Sequence, residues 1–151
     1  METLKLKQIQ SNRFIFLGVL LFLLGLIVGL IVPLFANPRM GVSSHLEGVM
    51  NGMFLITIGL IWNRISLSNK WLKITFWLAI FGTFINWLGI LIAATFDAGE
   101  MLGVVANGKK GEPIPEAIVT FSLISLSIAM LIVCIMILIG LKKGLNNKSL
   151  S

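Results

Sequence analysis

Four long apolar runs, Phe14 to Phe35, His45 to Ile65, Trp71 to Phe96 and Pro115 to Leu141, constrain this chain more than any motif in it. Each holds at least 21 residues. A helix rising about 1.5 Å per residue then spans roughly 30 Å, the thickness of a bilayer's hydrocarbon core. A soluble domain of 151 residues has too little interior for a composition that is 57% hydrophobic and 12% charged. The runs predict an all-α, integral membrane four-helix bundle in one transmembrane domain, with helices over about 14–35, 45–65, 71–96 and 115–141. The first run is too long for a signal-peptide core and no small-x-small cleavage site follows it, so it is expected to remain as an anchor.

Charge sets the expected orientation. If the runs cross alternately, Lys5, Lys7, Arg13, Arg64, Lys70, Lys73, Lys142, Lys143 and Lys148 fall on one side, and only Arg39, Lys109 and Lys110 on the other. The positive-inside rule then places both the N and C termini in the cytoplasm. The net charge of +6 reads as a topology signal and an attraction to anionic membrane lipid. No aromatic interleaving of the basic residues points to nucleic acid. The single cysteine, Cys134, lies within the fourth run and reads as a small buried hydrophobe, and neither a disulfide framework nor a CxxCH haem attachment can be built from it.

The stretch NPRMGVSSHLEGVMNG, residues 37–52, carries the single histidine, His45, at the head of the second run. Ser44 and Glu47 have capping-box spacing, which predicts a helix starting at His45. Gly48 and Gly52 then share a face with His45, while Asn51 lies about a third of a turn away and deeper. A strip without bulk beside an imidazole suits a flat ligand such as haem, and it equally suits a closely packed helix. In the first helix Gly25 and Gly29 form a GxxxG pair, read as packing against a neighbouring helix of this chain or another subunit.

Polar groups at membrane depth face protein or a cavity. Because the second and third helices run in opposite directions, Asn51 and Asn86 fall within about 6 Å of the same depth. They are expected either to bond to each other across the helices or to line a polar pocket below His45 and donate to a substrate oxygen. Asn63 beside Trp62 and Arg64 reads as interface anchoring. The loop DAGEMLGVVANGKKGEPI, residues 97–114, holds Asp97, Glu100, Glu112 and an Asn107-Gly108 turn, and is the candidate lid over the histidine. Ser122, Ser125 and Ser127 are expected to pack or to bond backbone carbonyls, and the tail after Leu141 to fray. No P-loop, GxSxG or HExxH occurs.

One histidine cannot build a His-rich zinc or copper site, nor a bis-His haem, within one chain. His45 could ligate haem iron, with the sixth position open, filled by water or taken by a methionine such as Met50, Met53 or Met101, or it could bond to a neighbour. A ferric iron with an open position would act as a Lewis acid in an apolar pocket. A haem protein that senses small molecules or carries electrons, and a cofactor-free structural bundle, stay open on these residues alone.

NPRMGVSSHLEGVMNG, the continuation GLIWNRISLS (59–68) and FWLAIFGTFINWLG (76–89) together resemble the bacterial styrene oxide isomerases over all four helices. The resemblance implies a multi-pass protein of the bacterial inner (cytoplasmic) membrane that assembles as a homotrimer and binds haem b (ferric) near subunit interfaces. It implies His45 as the axial ligand and metal-binding residue, with Asn51 in the substrate pocket. Its reaction would open a small hydrophobic aryl epoxide to an aldehyde by a 1,2-hydride shift, Asn51 with Asn86 orienting the oxygen. The sequence departs from the family at one place. The family's third-helix tyrosine has no counterpart, since the chain has no tyrosine, and Phe81 and Phe84 are the aromatic residues nearby.

Overall fold

The computed structural model describes residues 2–148. Among them four helices, α1 (Glu2–Leu30), α2 (Pro38–Ile61), α3 (Asn69–Phe96) and α4 (Pro113–Lys148), are joined by short links that each contain a 3-10 turn, and no strand occurs. All four helices are long and apolar enough to cross a membrane, and α2 is the least apolar of them.

Consecutive helices run antiparallel. Ser11 of α1 donates to the Gly59 carbonyl of α2 at 2.8 Å, and Ser66, before α3, donates its amide to Gly140 of α4 at 2.9 Å. Both described ends of the chain therefore lie at the end that holds the α2–α3 link, here called the terminal end. At the opposite, loop end, the amide of Asn37 meets the Ala94 carbonyl at 3.0 Å.

Several helix boundaries differ from the sequence expectation. α1 begins at Glu2 rather than near Phe14, because Leu4 to Asn12 holds no glycine or proline to break a helix. It stops at Leu30, and Pro33 sits in the 3-10 turn Val32–Leu34 that follows. α2 begins seven residues before His45 in the sequence, at Pro38. Asn37 is its N-cap, accepting from the Met40 amide at 3.4 Å, and Pro38 occupies the first turn, where its missing N–H costs nothing. Ser44 and Glu47 are therefore not a capping box: both are interior to α2. α4 continues past Leu141 to Lys148, so the expected fraying is not seen as far as that residue, and residues 149–151 lie outside those described.

Glycines set the α1–α2 seam. A Cβ on Gly48 would lie 2.5 Å from Gly25 Cα, and one on Gly52 would lie 2.7 Å from the Gly18 carbonyl oxygen. Backbones this close leave no room for any side chain larger than hydrogen. The GxxxG pair of α1 thus packs on α2 of the same chain. At the terminal end a buried cluster closes the bundle: Phe14 packs on Trp62 with ring centroids 4.8 Å apart and on Phe76 at 4.7 Å. Trp62 donates from Nε1 to Gln10 Oε1 at 3.1 Å, so it is a core residue here and not an interface anchor, whereas Asn63 beside it is exposed. The three α4 serines bond carbonyls of their own helix, as expected: Ser122 to Ile118 at 2.7 Å, Ser125 to Ser122 at 3.1 Å and Ser127 to Leu123 at 2.7 Å. Cys134, expected buried, is exposed on the outside of α4.

Candidate active site

α2 carries two faces of different chemistry. Starting the helix at Pro38 sinks His45 seven residues in, about 10 Å below the loop end at 1.5 Å per residue. Its Nδ1 lies 2.8 Å from the Gly25 carbonyl oxygen of α1, and the Gly29 position is open just enough for the ring, since a Cβ there would lie 2.7 Å from Nδ1. A helix carbonyl only accepts, so Nδ1 carries the proton, and Nε2 is left as a lone-pair donor with no partner among the described residues. A bond of this kind fixes the tautomer and orientation of the ring. The half-buried ring opens on a groove of about 670 Å³, lined by Leu26, Gly29, Leu30, Val32, Pro33 and Val42. Gly48 and Gly52 do not line it. Their face, expected to be an open strip for a cofactor, is filled by α1.

The second face is polar. Asn51 Nδ2 donates to Glu47 Oε2 at 3.2 Å, and Asn86 Nδ2 of α3 donates to the same oxygen at 2.6 Å. The two asparagines do share a layer, but a carboxylate bridges them and no Asn-to-Asn bond forms. Glu47 is the residue that reading the sequence misplaced. Its i, i+4 spacing to Asn51 is the signal that it belonged with the amides, and the false capping box hid it. Ser44, the other half of that box, points its hydroxyl at the Trp87 carbonyl of α3 at 3.5 Å.

His45 and Glu47 are two residues apart, hence about 160° apart around the helix by the short way. Leu46, Met50 and Met53, all exposed, occupy the wider sector of about 200° on the other side. Within one chain, then, His45 faces the α1 side of α2 while Glu47, Asn51 and Asn86 form on the α3 side. Neither Asn51 nor Asn86 lines the groove that His45 opens on, so the expected pocket with the amides beneath the imidazole is not seen among the described residues of one chain.

The loop between α3 and α4 is tied down. Asn37 donates to Asp97 Oδ1 at 2.7 Å while Lys109 pairs with Asp97 Oδ2 at 3.0 Å. Glu116 accepts the amides of Glu100 and Gly111, the latter at 2.7 Å, and Lys110 pairs with Glu100 at 3.0 Å. Asn107 and Gly108 both have positive φ, 61° and 72°, as the expected turn requires. Asp97, Glu100 and Glu116 thus hold the loop onto the helix ends, and none of these bonds reaches His45.

The chain matches the model of a family described as styrene oxide isomerase over residues 10–142. Hydroxylaminobenzene mutase HabB of Ectopseudomonas oleovorans is 47% identical over 135 residues, covering 89% of this chain and 82% of the relative. Hydroxylaminobenzene mutase HabA of the same organism is 49% identical over 125 residues, covering 82% of this chain and 93% of the relative. No solved structure matches it.

Proposed function

The chain belongs to the styrene oxide isomerase family, and from that premise we propose that it is a membrane isomerase that rearranges a small aryl substrate with haem b held on His45. The family and its mutase relatives support an isomerase-type activity. The observation that carries the cofactor reading is the His45 imidazole, fixed at Nδ1 by the Gly25 carbonyl and presenting a free Nε2 to an apolar groove. Those residues fit a haem edge. Bound ferric haem would supply a Lewis acid for the substrate oxygen.

Two substrate classes follow. The relatives are named for hydroxylaminobenzene, which favours an arylhydroxylamine. Its isomer with oxygen moved from nitrogen to the ring is an aminophenol: an N–O bond breaks, a C–O bond forms, and a proton leaves the ring carbon as one is gained at nitrogen. The family description favours an aryl epoxide, opened at the benzylic C–O bond and carried to an aldehyde by hydride shift. Neither route takes up or releases electrons, so no cosubstrate is required. In both, Asn51 and Asn86 orient the polar end of the substrate, and the apolar walls keep out the water that would divert it.

The two faces of α2 favour a site shared between copies. His45 on one chain meets the Glu47, Asn51 and Asn86 cluster only if a second copy brings its α3 side to the first copy's groove. This joins two different surfaces, and head-to-tail contacts form a ring when the rotation between copies closes. The assembly proposed here is a homotrimer, with the exposed Leu46, Met50 and Met53 sector at the contact.

The test is an absorption spectrum of detergent-purified protein combined with product analysis on hydroxylaminobenzene and styrene oxide. A Soret band that shifts with substrate, followed by isomer formation, is expected. A protein without the band, or one whose band ignores both compounds and yields no isomer, contradicts this function.

A further inference from the structure

Glu47 is the one member of the polar cluster for which the function above has no role, and its geometry supplies one. Both amides converge on a single oxygen, Oε2, at 3.2 Å from Asn51 and 2.6 Å from Asn86. Among the described residues the ion pairs are Lys109 with Asp97 and Lys110 with Glu100, so no cation holds Glu47. A carboxylate only accepts, and each side-chain amide offers two N–H groups and one oxygen. With one N–H of each amide used, the cluster keeps three oxygens without a hydrogen bond among the described residues (Oε1 of Glu47 and Oδ1 of Asn51 and Asn86) against two N–H groups. All three residues are half-buried, so a molecule at the side of the bundle can reach them.

An arylhydroxylamine has an N–H and an O–H to donate, whereas an epoxide has only an oxygen that accepts. The chain also has no tyrosine, so no phenol can donate to an epoxide here. We propose that Glu47 is the positioning and specificity-determining residue of this site: through Oε2 it clamps Asn51 and Asn86, and the surplus of acceptors it leaves selects aryl substrates that donate hydrogen bonds. The choice of substrates rests on the isomerase reading above. The clamp itself does not.

Two variants separate clamping from selection. Glu47→Gln can keep its amide oxygen at the Oε2 position and so hold both asparagines, while replacing the free acceptor by a donor. Glu47→Ala releases both. The experiment measures binding of phenylhydroxylamine and of styrene oxide by tryptophan fluorescence, with turnover of each and the haem band and assembly mass as integrity controls. Wild type is expected to bind phenylhydroxylamine more tightly than styrene oxide, and Glu47→Gln to lower that ratio about tenfold, the effect of one exchanged hydrogen bond. Glu47→Ala is expected to keep the haem band and lose about 100-fold in kcat with a smaller change in KM, as lost positioning does. An unchanged binding ratio in Glu47→Gln overturns the proposal, as does a Glu47→Ala protein with wild-type kcat. If Glu47→Ala does not fold, the Glu47→Gln ratio decides alone. A shifted ratio in a protein that converts neither compound leaves the clamp standing and removes the isomerase reading, while conversion with an unshifted ratio does the reverse.

Discussion

The α1 side and the α3 side of α2 are built by opposite means. On the α1 side, backbone meets backbone: Gly18, Gly25, Gly48 and Gly52 interlock with no side chain between them, and His45 is held by a main-chain carbonyl. On the α3 side, side chains reach across, Glu47 to Asn86 and Ser44 to the Trp87 carbonyl. Main-chain contacts cannot change rotamer, so the first side suits a ligand that must keep one orientation. Side-chain contacts can adapt, so the second suits a substrate that arrives and leaves. In the proposed function, one helix supplies a fixed half-site and an adjustable one.

The largest effect should come from the fixed half. His45→Ala removes the one imidazole, and the haem band and all turnover should vanish together in the spectrum and the product assay. A purified His45→Ala protein that stays haem-loaded would move the ligand elsewhere. On the adjustable half, Asn51→Ala should keep the haem band and lower kcat by about 100-fold, the scale of one missing oriented donor. If its kcat equals that of wild type, Asn51 orients nothing.

Packing effects come next. Gly48→Ala puts a methyl group into the Gly25 backbone and should cost about 1–3 kcal/mol by overpacking, lowering both the thermal midpoint and haem retention. The matching change across α2, Ser44→Ala, removes a 3.5 Å bond and should move neither by a comparable amount. Equal sensitivity at Gly48 and Ser44 would erase the distinction between the two sides. The smallest effect is expected at the loop end, where Asn37→Ala removes an N-cap and the bond to Asp97, costing about 1 kcal/mol in a denaturation midpoint without altering the product.

The apolar runs announced the four helices because a membrane span needs a length and a composition that few other structures share. The layer shared by Asn51 and Asn86 was also legible, since it follows from rise per residue and antiparallel direction. What stayed hidden turned on one competition for the start of α2. Ser44 and Glu47 imitate a capping box, yet Asn37 followed by Pro38 is the real start. That error left His45 at the surface and Glu47 in a cap. The side of α2 that each residue faces was equally illegible, because glycine fits an open cofactor strip and a close helix contact alike. Only the position of α1 separates the two. Cys134 shows the same limit: an apolar run does not say which of its residues face outward.

The proposed site is shared between two copies, one giving His45 and the next giving Asn51. The direct measurement co-expresses two inactive variants, His45→Ala and Asn51→Ala, and assays isomerase turnover of the mixed assembly. In a randomly mixed ring one site in four pairs an intact His45 with an intact Asn51, so about a quarter of wild-type turnover should return. Mixed assemblies that stay as inactive as either parent would show that both residues serve one site within a single chain, and would contradict the division of α2 into two half-sites.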